Sequence, residues 1–345
     1  MYNKVYIEIT NICNANCSFC AGHSRTPRQM STEEFTLILD KLTGHTKYLY
    51  YHLMGEPLTH PQLPAFIKLA GERGYKSIIT TNGTLLQDRQ EELLAAGLHK
   101  VNLSLHSFEN GTQEDHIRYI GHLADFAKSA ASAGILVVFR LWNKGMDDGK
   151  NEFALNVLKE QIPGDWTDNS RGIRIRDRMF IEFGERFEWP DSSAEIKGNK
   201  FYCYGLKDQF GILSDGTVVP CCLDSNGIIR LGNIFTEDLN AVLHSKRALD
   251  LLNGFKCGKA TEDLCPRCGY AQRFVRENKT AWRCFLQAVF HIFYASRSCS
   301  TTTASLSHSL CASAQSFASR LRAIRVSRSF FCNSSSKYSL LKWFL

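Results

Sequence analysis

Between Val5 and about Phe183 six short runs rich in β-branched and aromatic residues alternate with longer segments of helical spacing. The strand-like runs are VYIEIT (5–10), YLYYHL (48–53), KSIITTNG (76–83), VNLSLHS (101–107), ILVVFRLW (135–142) and MFIEFG (179–184). The first helix starts at Ser31 in STEEFTLILDKL, with Glu34 placed to close a capping box, and others are expected near 61–73, 86–97, 112–134 and 151–162. Strands separated by helices must run parallel and cross over right-handedly. The expected fold is therefore α/β with a parallel sheet, for which a partial parallel (β/α)6 barrel is one arrangement. In such sheets chemistry gathers on loops leaving the C-terminal strand ends. NICNANCSFC, MGEP and TNGT follow the first, second and third strands, so they should share one mouth.

From about Ser192 the texture changes. GILSDGTVVPCC (211–222) reads as a hairpin turning at Asp215-Gly216, followed by IIRLGNI (228–234) and a helix near 239–252. The organisation predicted is a barrel over 1–190, a small α+β module over 191–279 with six cysteines between Cys203 and Cys268, and a Ser/Arg-rich tail over 280–345. The tail shows no strand or helix period and reads as disordered or artefactual, so Cys284, Cys299, Cys311 and Cys332 receive no role.

The formal charge of +7 belongs to that tail: residues 278–345 hold nine Lys or Arg and no Asp or Glu, which leaves the first 277 residues at −2. A mildly acidic body gives no argument for nucleic acid as a partner. No apolar run approaches the roughly 20 residues that span a bilayer. MYNKVYIEIT enters a strand with no basic or apolar leader, so a cytoplasmic protein is expected. In a large chain of that kind 13 cysteines point to metal rather than to a disulfide framework.

Cys13, Cys17 and Cys20 lie on one short loop, with no second pair nearby to complete a zinc finger. Three thiolates around a 4Fe-4S cube leave one iron open. With Phe19 before the last of them, this CxxxCxxΦC loop resembles the signature of the radical S-adenosylmethionine (radical SAM) superfamily. That resemblance covers about residues 4–185 and implies that S-adenosylmethionine chelates the open iron. It further implies that Gly55, Glu56 and Pro57 bind the methionine amino group, that Asn82 and Ser104 meet the ribose and carboxylate, and that Phe19 borders the adenine.

Cys203, Cys221, Cys265 and Cys268 could saturate a second centre, either a zinc knuckle or an iron-sulfur cluster. GTVVPC with the downstream CPRC resembles the SPASM and twitch extensions of radical SAM proteins, and the absence of a dense downstream cysteine run favours the twitch form with one auxiliary 4Fe-4S cluster. Cys222 and Cys257 are spare under this reading, and either could replace a named ligand.

The resemblance implies reductive cleavage of S-adenosylmethionine to a 5'-deoxyadenosyl radical. Hydrogen abstraction from a substrate and passage of an electron to the auxiliary cluster would follow, a net two-electron oxidation. A small alcohol or amino sugar, or a peptide, would be the substrate, and a flavodoxin or ferredoxin the electron donor. His52, His106 and Glu182, at or near strand ends, are candidates for proton transfer, and Arg140 on the fifth strand could meet the cofactor carboxylate or an anionic substrate. The alternative is a non-catalytic iron-sulfur or zinc protein that binds a partner or carries electrons, which would need the cysteines but not the GEP residues.

Overall fold

The computed structural model describes residues 1–274 other than 147, 148, 171, 199 and 200. The tail read at 280–345, with its four cysteines, lies outside the described residues. The strands are β1 (Lys4–Ile7), β2 (Tyr48–Tyr50), β3 (Lys76–Thr81), β4 (Lys100–Ser104), β5 (Leu136–Lys144), β6 (Thr167–Asn169), β7 (Gly172–Arg176), β8 (Met179–Glu185), β9 (Gln209–Ile212), β10 (Thr217–Val219) and β11 (Gly232–Asn233). The helices are α1 (Thr32–Lys41), α2 (Leu63–Glu72), α3 (Leu86–Ala95), α4 (Gln113–Ser132), α5 (Lys150–Gln161), α6 (Leu239–Leu243) and α7 (Lys246–Lys256).

All the strands join one 11-stranded open sheet in the order β11-β10-β9-β1-β2-β3-β4-β5-β8-β7-β6. From β1 through β5 to β8 every neighbour is parallel, which gives the expected α/β architecture of a barrel that does not close. The strand after the barrel segment, β9, pairs parallel with β1, so the later residues extend the same sheet. β9 and β10 form the expected hairpin around Asp215-Gly216.

Side-chain alternation divides the sheet into two faces. Val5, Ile7, Leu49, Val101, Leu103, Val137 and Phe139 join helix residues such as Phe35, Phe66 and Leu123 in the main core. Tyr6 points the other way, into a smaller cluster with Leu53, Leu213 and Val219 flanked by Tyr50 and Cys222. Two capping boxes fix helix entries, Ser31 with Glu34 at α1 and Thr112 with Asp115 at α4.

Two elements differ from expectation. The β6–β7 hairpin is short and polar, without an apolar run of its own, and exists because β7 pairs antiparallel with β8. The helix expected over 239–252 is two, because the Ser245 side chain accepts from Ala248 N and starts α7 afresh after His244.

Candidate functional site

The three loops predicted to share a mouth are hydrogen-bonded into one. Glu56 N donates to Ile12 O at 2.9 Å, and the buried Glu56 carboxylate accepts from Leu58 N at 3.1 Å and from Asn82 N at 2.7 Å. Asn82 Nδ2 donates to Asn14 Oδ1 at 2.9 Å, while the Tyr119 hydroxyl donates to Asn82 O at 2.6 Å and lies 3.3 Å from Ser104 O. Gly55 has φ +75°, and a Cβ there would lie 2.4 Å from Thr10 O, so only glycine lets the MGEP loop sit on the cysteine loop. Pro57 opens the single 3-10 turn that Glu56 caps.

Burial raises the Glu56 carboxyl from 4.5 to about 7 against the hydrogen bonds that lower it. The unfolded chain then holds fewer protons than the folded one between about pH 4.5 and pH 7, so wild-type stability from this group falls as pH rises through that window. Glu56→Gln removes the titration but leaves one backbone N–H without an acceptor. The stability gap between wild type and Glu56→Gln, measured by urea denaturation of the metal-free protein, is therefore expected to narrow by about 1.4 kcal/mol per pH unit across the window. A gap that stays constant from pH 4.5 to 7 refutes the assignment.

The first three cysteines share one loop and act on one another's ionisation, although among the described residues no group of three side chains stands close enough to hold a single metal ion. Burial is the main cause that pushes the Cys17 thiol up to about 11, with negative charge at Glu109, Cys20 and Cys13 adding to it. Cys13 is raised too, by burial and by Glu56 and Cys20. Thiols such as Cys13 and Cys17 that resist ionisation alone suit a cationic centre, which would stabilise their thiolates. Cys20 N donates to Cys17 O at 3.1 Å, and both Ser18 N and Ser18 Oγ donate to Glu109 at 2.5 Å. Phe19 is held from both sides: its ring lies 4.8 Å from that of His106, and its carbonyl accepts from Trp189 Nε1 at 2.9 Å. A cavity of about 570 Å³ opens beside it, lined among others by Phe108, Trp142, Asn143 and Phe153.

The later cysteines form a second group. Burial dominates in raising Cys203 to about 11 and in raising Cys221, Cys265 and Cys268, and each of the four acts on or is acted on by others of the set. Their donor chemistry fits an iron-sulfur centre. Cys222 neighbours them, but its thiol hydrogen-bonds the Tyr6 side chain on the helix-free face of the sheet. Cys257 is exposed at the C-terminal end of α7.

A buried ion pair links the two groups, and the motifs did not reveal it. The Arg25 guanidinium grips both oxygens of Glu8 at 2.7 and 2.6 Å, and its Nε donates to Ser225 O at 2.8 Å. Glu8, wholly buried, also accepts from Met54 N at 3.3 Å and Ser214 N at 3.1 Å. Arg28 bonds Ser214 O and Glu34, and Ser24 N donates to Asn226 Oδ1 at 2.8 Å. The segment after the first cysteines thus clamps the loops around β10. A carboxylate on the Tyr6 phase of the apolar strand VYIEI, opposite Val5, Ile7 and Ile9, was the available signal.

The remaining candidates gather around Arg140. His106 is anchored through Nδ1 to Arg140 O at 3.0 Å. His52 is pushed down to about 3, first by burial and then by Arg140 and Lys4, which makes it a poor proton acceptor. Arg140 Nε lies 3.3 Å from Glu182 Oε2, with the guanidinium over the Trp142 ring at 4.7 Å.

A family model described as the radical SAM superfamily matches residues 7–141, and one described as an iron-sulfur cluster-binding domain, SPASM, matches 203–269. The probable GTP 3',8-cyclase of Sulfolobus acidocaldarius is 34% identical over 298 residues, covering 71% of this chain and 91% of that protein. The chain belongs to the radical SAM superfamily. A shorter match to the AdoMet-dependent heme synthase of Methanosarcina barkeri, 29% identical over 133 residues, covers 37% of each protein. Among solved structures, BtrN in complex with AdoMet and 2-DOIA superposes with a TM-score of 0.51 at 16% identity, covering 78% of this chain and 93% of that one, which supports the fold. The radical SAM enzyme accordingly takes 4Fe-4S clusters and S-adenosylmethionine as cofactors. Among its described residues no helix is long and apolar enough to cross a membrane.

Proposed function

We propose that this radical SAM enzyme oxidises a small hydroxylated substrate by two electrons, with the later cysteines holding the electron-accepting cluster. The observation that carries this reading is the neighbourhood of Cys222: its thiol meets Tyr6 on the open face of the sheet, while Tyr270 beside Cys268 feels both Arg140 and Glu182. Substrate on that face would therefore lie next to the second cysteine group.

Cys13, Cys17 and Cys20 would hold the cluster that binds S-adenosylmethionine, with Gly55, Glu56 and Pro57 at its amino group, Asn82 and Ser104 at the ribose and carboxylate, and Phe19 at the adenine. Bound there, these cofactors supply a 5'-deoxyadenosyl group that removes a hydrogen atom from carbon. Glu182, the carboxylate among the candidates on that face, takes the hydroxyl proton, and Arg140 holds it in place. Cys203, Cys221, Cys265 and Cys268 hold the centre that receives the remaining electron as the carbonyl forms. A flavodoxin or ferredoxin in the cytoplasm, where the thiols stay reduced, supplies the initiating electron.

Cys265→Ala tests the division of labour. The reconstituted variant is expected to keep forming 5'-deoxyadenosine while losing substrate oxidation, and Cys257→Ala, altered at an exposed position, to keep both. Loss of 5'-deoxyadenosine in a Cys265→Ala protein that retains its fold by circular dichroism, or full oxidation in it, would overturn the proposal.

A further inference from the structure

The helix-free face of the sheet carries a polar hub that the cofactor-binding residues do not use. Its centre is Thr80 Oγ1 on β3, to which Asn102 Nδ2 donates at 3.0 Å and Arg140 Nη1 at 3.4 Å, with His52 Nε2 also at 3.4 Å. Three different strand regions thus meet at one hydroxyl. Asn102 Nδ2 also faces Ile79 O at 3.3 Å, and a backbone carbonyl can only accept, so the orientation of the amide is set by the network.

Two partners of Thr80 retain a buried polar atom with no hydrogen-bond partner, Asn102 Oδ1 and His52 Nδ1, while Arg140 Nε meets only the Glu182 carboxylate, in an ion pair at 3.3 Å. Native proteins leave few such groups, and two around one hydroxyl require an account. Asn102 Oδ1 is an acceptor, Arg140 Nε–H a donor, and the neutral His52 can be either. Beside them Glu182, with 34% of its side chain exposed, adds an acceptor 3.3 Å from Arg140 Nε.

We infer that this hub is a substrate subsite for a neutral ring bearing neighbouring hydroxyls, a sugar or cyclitol. The inference rests on the function proposed above and narrows its substrate. A carboxylate or phosphate would bring acceptors only, would face Asn102 Oδ1 and Glu182 unfavourably, and would have to separate Arg140 from its own counter-ion. A hydroxyl both donates and accepts, so adjacent hydroxyls bridge Glu182 and Arg140 without breaking their pair. Flat surfaces for the C–H face of a ring stand alongside: Tyr50 is 5.9 Å and Tyr6 5.3 Å from the His52 ring, each edge-on.

The test is equilibrium dialysis of the anaerobically reconstituted enzyme with radiolabelled myo-inositol and glucose, against glutamate and inorganic phosphate. Both rings are expected to bind, glutamate and phosphate at least tenfold more weakly, and Glu182→Gln to weaken the rings at least tenfold. Thr80→Val, which keeps the side-chain shape, should do the same and guards against misfolding of either variant. Rings that bind no better than glutamate or phosphate, or that bind both variants as they bind wild type, overturn the subsite. The Cys265→Ala comparison of 5'-deoxyadenosine with substrate oxidation, assayed in parallel, reports separately on the proposed function, so failure of one is distinguishable from failure of the other.

Discussion

Replacing Cys17 by alanine is expected to abolish formation of 5'-deoxyadenosine while leaving the second iron-sulfur centre in place. Cys17 sits at the middle of the loop, half-buried, with its thiol 3.6 Å from Ser107 O, and it feels both other cysteines of the set as well as Glu109. Two thiolates cannot hold a cube that already leaves one iron to the cofactor. Iron in the reconstituted protein is expected to fall from about eight to about four per chain, the content of one 4Fe-4S cluster. Because Cys17 belongs to a surface loop outside the hydrophobic core, thermal unfolding of the metal-free variant should match wild type closely. Retained 5'-deoxyadenosine in this variant would mean that the reactive cluster is held elsewhere.

Glu8→Ala should have the largest effect on stability. It removes a wholly buried carboxylate and strands the Arg25 guanidinium, whose side chain is 14% exposed, without its counter-ion. Ser214 N and Met54 N lose their acceptor at the same time. Breaking a buried pair from one side costs about 3–5 kcal/mol, because the remaining charge stays desolvated. For a folded unit of this size that corresponds to a fall in Tm of roughly 5–9 °C. The double variant Glu8→Leu with Arg25→Met leaves no orphaned charge and should recover much of the loss, as scanning calorimetry can measure. If Glu8→Ala melts with wild type, the pair contributes nothing and the clamp between the cysteine loop and β10 is held by Ser24 and Arg28 instead.

Local periodicity and spacing account for the features that the chain shows in one dimension. The alternation of strands and helices is a property of short windows, and β1 to β5 with β8 appear where it placed them. The cysteine loop was legible because its three thiols are close in sequence, and GEP because a glycine in the left-handed region, a carboxylate and a proline stand together. The split between α6 and α7 hung on one serine hydroxyl that also reads as an ordinary helix residue. The β6–β7 edge carried no apolar pattern at all, since β7 gains its place by pairing with β8.

The sequence by itself determined the α/β class, the three loops at one mouth and two groups of cysteines, because each is encoded by residues near one another along the chain. Only the tertiary structure decided which cysteines act together, that Cys222 turns toward Tyr6, that Glu8 meets Arg25, and that Thr80 gathers His52, Asn102 and Arg140. Glu8 and Arg25 are 17 positions apart, and Thr80 and Arg140 are 60 apart. The energies of such contacts depend on burial, which withholds water from a charge or a thiol, and burial is set by the packing of the whole sheet rather than by any segment of it.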